Sequence, residues 1–289
     1  MSNKVTIKLD TSKYQTPTQD DLEQAKDYVK QRNAYANVLE SKIDTLLAQA
    51  AKDITNICYK YNIEVEDFRI TANDDMFNEV SEVMDELEKE ILKLIEEYST
   101  ACTKDRDRIK ALIAFIITLG RQNRNLRGTL ENYLNRYLYD LEALIASMKL
   151  AKYSSAEAVT KIVSNLHNVY SMPEVRKAMS LASSMSAMYI QSKGIHYDFE
   201  TGRPTVGLSI NGATNVTNMA KITLSIAWMR NQLLDFIENG AAGYYQLRGS
   251  NYPCKHCDDE VGFHPGIENI SSPLPHPHCM CYRIPIFPI

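Results

Sequence analysis

The chain has 289 residues, of which 44% are hydrophobic and 24% charged, so it can bury a sizeable core as one or two globular domains. A net charge of −4 with a pI near 5.9 excludes a protein that binds nucleic acid through its overall charge. The N-terminus lacks the apolar core of a signal peptide, and the longest apolar run, residues 111–119, is too short to span a bilayer. We therefore expect no membrane partner, and a reducing cytosol around the cysteines.

The first two thirds of the chain are predicted to form an arm followed by an elongated helical bundle. Residues 1–19 are assigned to the arm, because a short alternating stretch is followed by a polar segment that contains Pro17. Residues 20–193 are assigned to helices, because apolar residues recur there at helical spacing. The predicted helices run from near Thr18 to about Tyr61, from Asn73 onward, and over about 104–119, 122–152, 155–169 and 173–193.

The composition changes at Gly194, and residues 194–289 are predicted to form one small α+β domain. In chain order its predicted elements are a β-hairpin over 195–199 and 205–210, a break at Asn211-Gly212, a helix over about 214–239, a strand over 242–247 and a short terminal strand. The predicted fold class is therefore mainly α, with an N-terminal helical bundle followed by a small α+β C-terminal domain.

Four of the six cysteines lie near the C-terminal end, in a segment with little apolar material of its own. Two close pairs of soft or borderline ligands suit a closed tetrahedral Zn²⁺ site, which would stabilise this domain. Disulfides are the alternative, but the CxxC and CxC spacings favour chelation. Four of five residues are the predicted ligands: Cys254, Cys257, His276, Cys279 and Cys281. The preferred set contains His276, and Cys281 is the alternative for its position.

The same segment resembles the C-terminal end of the phage Mu protein F-like family, the minor head or head-morphogenesis proteins of tailed phages. That family typically shows a helix, a strand with an aromatic residue, CxxC, a glycine, a loop, and HPxCRC before an apolar strand. The matching residues are Tyr244, Tyr245, Cys254, Cys257, Gly262, Pro275, the run His276-Pro277-His278-Cys279-Met280-Cys281 and the apolar run 284–287. Met280 replaces the usual arginine, tyrosine stands where tryptophan is usual, and Met-Ala-Lys-Ile-Thr at 219–223 replaces an Arg-Thr-Glu-like stretch.

The resemblance covers about a third of the chain and implies a structural or assembly role in a phage head. It implies portal and capsid proteins as partners, double-stranded DNA as a further candidate partner, and a location in the virion head and in the host cytoplasm during assembly. A closed site with four protein ligands leaves no position for a reacting water. We therefore expect no enzyme activity and no small-molecule substrate.

The alternative function is a zinc-stapled DNA-binding or DNA-processing protein of a phage or mobile element. Arg121, Arg124 and Arg127 recur every three residues along one predicted helix, and Arg136 follows further along. These four arginines are candidate contacts for DNA phosphates or for an acidic portal surface, although a solvated helix face is the simpler explanation.

Two enzyme classes also share part of the cysteine pattern. A zinc deaminase would use the PCxxC half at Cys254, but it needs an upstream His-x-Glu, and only His196 with Asp198 stands near that pattern. A zinc-supported nuclease would use His264 with the acidic run 258–260, which is also typical of a solvated turn. The deaminase alternative also leaves His276, Cys279 and Cys281 unexplained.

Overall fold

The structure is a computed structural model. It describes residues 7–61, 74–118, 125–131, 152–154, 157, 161, 173, 197–198, 203–204, 208–250, 254–266 and 279–289. The described chain is mainly helical and carries a small three-stranded sheet near its C-terminal end. The predicted fold class is thereby confirmed at this level.

Long helices make up most of the described chain that precedes the sheet. Their bounds are Gln19–Lys60 for α1, Asp74–Ser99 for α2, Asp107–Thr118 for α3 and Leu208–Glu238 for α4. Residues 126–131 are also helical. The predicted helices over 18–61, from 73 onward and over 104–119 are confirmed within a few residues. Most of the predicted helices over 122–152, 155–169 and 173–193 lies outside the described residues.

The start of α1 shows why the sequence prediction was accurate there. The Thr18 hydroxyl accepts a hydrogen bond from the Asp21 backbone N–H at 3.2 Å, and the Thr18 backbone N–H donates to the Asp21 carboxylate at 2.7 Å. This reciprocal pair is a capping box with Asp in place of Glu or Gln, and it satisfies backbone donors that have no partner within the helix.

No described helix is both long enough and apolar enough to cross a membrane.

The region before α4 differs from the prediction. A short hairpin is present, in which β1 (Tyr197–Asp198) pairs antiparallel with β2 (Arg203–Pro204). The predicted strand over 205–210 is wrong from Leu208 onward, and no break occurs at Asn211-Gly212, because α4 runs through both. A glycine inside a helix costs only about 1 kcal/mol relative to alanine, which a helix of 31 residues tolerates.

The three-stranded sheet has β3 (Gly243–Leu247) at its centre, between β4 (Gly262–Pro265) and β5 (Tyr282–Ile286). Both neighbours run antiparallel to β3, and Tyr245 pairs with a residue of each. The predicted strand over 242–247 and the short terminal strand are confirmed, whereas β4 was not predicted. The sheet therefore connects the segment that holds the first cysteine pair to the segment that holds the second.

The N-terminal segment packs against this sheet. Ile7, Leu9 and Tyr14 contact a core of buried residues that includes Ile284 and Ile286, both 0% exposed. Backbone hydrogen bonds hold the same segment beside the end of the chain, with the Gln15 N–H donating to the Phe287 carbonyl at 2.9 Å and the Ile289 N–H donating to the Lys13 carbonyl at 3.1 Å. The first residues of α1, including Ala25 and Val29, belong to the same core.

The chain divides into two compact units, each assembled from distant parts of the sequence. Unit 1 comprises Met1–Glu40, Ile95–Ile116 and Ala220–Ile289, and unit 2 comprises Ser41–Leu94 and Ile117–Met219. This grouping differs from the linear division into residues 1–19, 20–193 and 194–289, because the N-terminal segment and the first part of α1 pack with the C-terminal sheet. A domain boundary near residue 194 lies outside the described residues and stays a prediction.

Candidate metal centre

The first cysteine pair is positioned by α5 (Lys255–Asp259), a single short helix between β3 and β4. Cys254 is the residue before the helix and has extended backbone angles (φ −147°, ψ 100°), and its carbonyl accepts the first helical hydrogen bond from the Asp258 N–H at 2.9 Å. Cys257 lies one turn further on. Residues three apart on a helix lie on the same face, so this turn places both sulfurs on one side.

The second pair lies where the chain enters β5. Cys279 and Cys281 flank Met280 and are both buried. Side chains two residues apart in an extended segment point to the same side, which places the two sulfurs together. The Met280 backbone lies so close to Gly249 that a Cβ at position 249 would overlap the Met280 carbonyl. Glycine at that position therefore lets the segment after β3 approach the second pair.

The two pairs meet in one cluster. The Sγ atoms of Cys257, Cys279 and Cys281 all lie within 4.8 Å of one another, and Cys254 packs against them. None of the four forms a disulfide. Three of the four are buried and Cys254 is half-buried. These four cysteines form a cluster that could hold a metal ion, and we call it the cysteine cluster below.

The fifth predicted ligand, His276, lies outside the described residues, so its predicted role is not tested. Three residues of the preferred set, Cys254, Cys257 and Cys279, come together in the structure. Cys281, the alternative to His276, completes the group and is buried among the other sulfurs.

Arginine side chains surround the cysteine cluster. Arg32, on α1, donates from its guanidinium to the carbonyl oxygen of Cys279. Arg248 donates to the carbonyl of Cys254 at 3.2 Å and forms an ion pair with Asp258. Arg283 is buried two residues beyond Cys281. Two guanidinium groups therefore donate to backbone carbonyl oxygens of the cluster's own cysteines.

Two of the thiols, Cys257 and Cys281, resist ionisation as long as no cation lies among them. Burial raises the pKa of the Cys257 thiol to about 11, and the hydrogen bond between Cys257 and the neighbouring Cys254 acts in the same direction. The hydrogen bond between Cys279 and Cys281 raises the pKa of Cys281, and burial adds to this. A divalent cation at the centre would stabilise all four thiolates at once, and its binding would release protons.

The groups considered for enzyme chemistry are placed differently. The His264 ring stacks on the Tyr244 ring, with centroids 4.8 Å apart, and its Nε2 lies 2.9 Å from the Glu260 carbonyl oxygen. Asp258, from the acidic run, is paired with Arg248. The imidazole is thus held between β3 and the end of α5. The deaminase candidate His196 lies outside the described residues, as does the Asp198 side chain.

Of the four arginines proposed for DNA or portal contact, only Arg127 is described. Its guanidinium forms ion pairs with Glu88 at 3.0 Å, Glu131 at 3.1 Å and Asp85. Hydrogen bonds to Asp85 and the other two carboxylates raise the pKa of Arg127 above its ordinary range. Arg121, Arg124 and Arg136 lie outside the described residues.

Sequence reasoning did not identify Arg32 as part of the site. Arg32 lies on α1, 247 residues before the cysteine whose carbonyl it contacts, and it is one basic residue among many on a long helix. The only trace in the sequence is its spacing, since it stands three residues after Val29 and four before Ala36, both of which are buried. An arginine in a buried stripe is a sign of a specific partner.

Comparison of the chain with models of protein families, with curated proteins and with solved structures gives no match.

Proposed function

We propose that Cys254, Cys257, Cys279 and Cys281 bind one structural Zn²⁺, and that the protein is a structural or assembly component of a tailed-phage head. The observation that carries this proposal is that two cysteine pairs lie together in one largely buried cluster, within the segment that resembles the Mu F-like family. In that role it acts at or near the portal, through contacts with portal and capsid proteins.

The chemistry of the donors supports zinc over the harder divalent ions. Four thiolates are soft ligands, which Ca²⁺ and Mg²⁺ avoid and which Zn²⁺ accepts in tetrahedral sites. Two sulfurs bound to one zinc at about 2.3 Å lie about 3.8 Å apart in a tetrahedron. The three buried sulfurs already lie within 4.8 Å of one another, so only a small closure is needed. The residues present fit this ion.

A structural role follows from the closed ligand set. Four protein ligands fill the tetrahedron, which leaves no position for a reacting water or a substrate. The bound ion would connect the segment that precedes β4 to the segment that enters β5, and it would thereby add to the stability of the fold. We propose accordingly that the protein is not an enzyme.

The assembly role rests on the family resemblance together with the architecture. The small sheet has the cysteine cluster beside it and is joined to long helices. Both the sheet and the helices provide surfaces for other proteins. The DNA-binding alternative receives less support, because the charge of Arg127 is already compensated by three carboxylates. We therefore favour protein–protein contacts as the main activity.

Metal content tests the site directly. Elemental analysis of the purified protein is expected to give about one zinc per chain, because the cluster offers one tetrahedral set of ligands. Cys254→Ser and Cys279→Ser are expected to lose that zinc. The matched control is Cys102→Ser, which removes a thiol that lies outside the cluster and should leave zinc unchanged.

His276→Ala decides the fourth ligand. We expect this variant to retain its zinc and Cys281→Ser to lose it, because Cys281 lies buried within the cluster. The reverse result would replace Cys281 by His276 in the site. A wild-type protein without zinc, with all four cysteines titrating as free thiols, would contradict the proposed site.

Co-purification tests the assembly role. When the chain is co-expressed with the portal and capsid proteins of its own phage, we expect it to remain bound to one of them at moderate salt. Binding to DNA alone, with an affinity that falls steeply as salt is raised, would instead support the DNA-binding alternative. Cys257→Ser, a variant within the cluster, is the control. It shows whether binding to the portal or capsid protein depends on the folded C-terminal end.

A further inference from the structure

We propose that the first cysteine pair is a site of oxidation, at which a hydroperoxide joins Cys254 to Cys257 in a disulfide and the cluster thereby releases its zinc. The proposed metal site is the premise, because the zinc that is released must first be bound.

Cys254 is the member of the cluster that is most open to solvent. It is half-buried, whereas the other three cysteines are between 4% and 8% exposed. The sulfurs of those three lie within 4.8 Å of one another, and Cys254 packs against this group. Oxidation of cysteine follows thiolate character and exposure, and all four are thiolates when a metal is bound. A small oxidant in solution therefore meets Cys254 first.

The sulfur of Cys257 lies directly beside that of Cys254. Hydrogen bonds link Cys254 to Cys257 and Cys257 to Cys281. The first two residues also stand three apart across the single turn of α5, and side chains at this spacing have Cβ atoms about 5–6 Å apart. A disulfide needs Cβ atoms about 3.5–4.5 Å apart, so a small closure of this turn is enough to form the bond.

The second cysteine pair is held in place by α1. The Arg32 guanidinium donates to the Cys279 carbonyl oxygen, and the side-chain amide of Asn33 contacts the sulfur of Met280. Movement of the second pair toward an oxidised sulfur of the first pair would break these contacts. A bond within the first pair is therefore favoured over a bond between the pairs.

The reaction is a two-electron oxidation of two thiolates by the hydroperoxide. The Cys254 thiolate attacks the peroxide, so that an S–O bond forms as the O–O bond breaks, and the leaving alkoxide takes up a proton. The Cys257 thiolate then attacks the Cys254 sulfur, so that the S–S bond forms, and hydroxide leaves and is protonated to water. Both sulfurs are oxidised, and the peroxide is reduced to an alcohol and water.

The disulfide leaves only two thiolates for the ion. A structural Zn²⁺ site in a protein has four ligands, so Cys279 and Cys281 alone do not retain the metal. These two sulfurs take up protons as the ion leaves. A dithiol reductant reopens the disulfide by thiol–disulfide exchange, and added Zn²⁺ then restores the loaded cluster.

The test treats the zinc-loaded full chain with hydrogen peroxide, follows the released zinc with a chromophoric chelator, and locates the disulfide by mass spectrometry. Digestion of the unfolded chain with trypsin and a Glu-specific protease yields peptides 249–255, 256–260 and 269–283. These carry Cys254, Cys257 and the second pair, in that order. We expect the release of about one zinc per chain and a disulfide between the first two peptides.

Cys254→His and Cys279→His are the matched variants, because histidine keeps a nitrogen ligand for zinc at either position. Cys254→His removes the sulfur that meets the oxidant, so it should retain its zinc at the peroxide dose that empties the wild type. Cys279→His alters the zinc affinity but keeps the first pair, so it should still form the disulfide between Cys254 and Cys257. If either variant binds no zinc, the peptide map of the wild type decides alone.

The outcomes distinguish the oxidation site from the metal site. A wild-type chain that binds zinc and keeps it under peroxide overturns the oxidation site and leaves the metal site standing. A disulfide that involves peptide 269–283, or a Cys254→His variant that loses zinc as fast as wild type, has the same consequence. A wild-type chain that binds no zinc overturns both.

Discussion

Removal of zinc with a strong chelator is expected to unfold the C-terminal end of the protein. Structural zinc contributes on the order of 10 kcal/mol of binding free energy in small zinc domains, which is comparable to the whole stability of an ordinary domain. Without the ion, four buried thiols remain around a small sheet whose β4 and β5 adjoin the cysteine pairs. Hydrogen exchange should then lose protection over residues 254–266 and 279–289.

The same chelator provides its own control within the chain. Protection in the α1 residues 41–57 of unit 2 should change far less, because those residues belong to the other compact unit. Adding back Zn²⁺ should restore protection in the C-terminal end, and Cys102→Ser should behave as wild type throughout. Unchanged protection of the C-terminal end after complete removal of zinc would mean that apolar packing alone holds it.

Replacement of Trp228 by alanine is expected to lower the free energy of unfolding of unit 1 by about 3–5 kcal/mol, the range typical of a large aromatic residue in a core. Trp228 is 2% exposed and contacts the rings of Tyr28 and Tyr35, at centroid distances of 5.3 and 5.2 Å. Its indole N–H donates to the Tyr98 carbonyl at 3.1 Å, so the deletion also leaves a buried carbonyl without this donor.

Two further variants divide that loss into its parts. Trp228→Phe keeps most of the ring packing and removes the indole donor, so it should cost about 1–3 kcal/mol. Ile237→Ala, on the same helix but 39% exposed, should lie within about 0.5 kcal/mol of wild type. Denaturant unfolding measures the free energy of unfolding of all three variants. It is followed by far-UV circular dichroism, because this backbone signal does not depend on the tryptophan. Equal losses for Trp228→Ala and Ile237→Ala would contradict the central position of the indole.

The helices and two of the three strands of the sheet, β3 and β5, were predictable because their patterns are local. The Thr18 cap and the apolar repeat defined α1 within a residue or two, and the run 242–247 defined β3. The strand β4 was missed because Gly262 and Pro265 disfavour strands in isolation. It forms because β3 supplies its hydrogen-bond partners, which no local pattern contains.

The error at residues 205–210 has the opposite cause. Six residues of alternating character predicted a strand, but from Leu208 they lie in α4, whose later turns are buried. Once those turns are packed, extending the helix backward costs little, because propagation adds a hydrogen bond for each residue that is fixed. A short local preference was overridden by the tertiary packing of the residues that follow.

The candidate ligands of the cysteine cluster were predictable from the sequence, but the residues that surround the cluster were not. The spacing between Cys254 and Cys257, and between His276 and Cys279, predicted two short turns of ligands, with Cys281 as the alternative to His276. The buried arginine that contacts Cys279 comes from α1, and only the fold brings it there. A contact of this kind depends on three-dimensional proximity, so single-sequence patterns do not reveal it.

The packing of the N-terminal segment against β5 has a consequence for synthesis. Leu22 and Ile286 share one core, yet the ribosome adds the second long after the first. At about 5–20 residues per second, the early part of α1 leaves the exit tunnel roughly 15 to 50 s before its partner strand exists. During that interval the apolar residues of early α1 that contact β5 lack this native packing partner. We therefore expect nascent chains that stop before β5 to recruit chaperones, and their release to follow translation of the last strand.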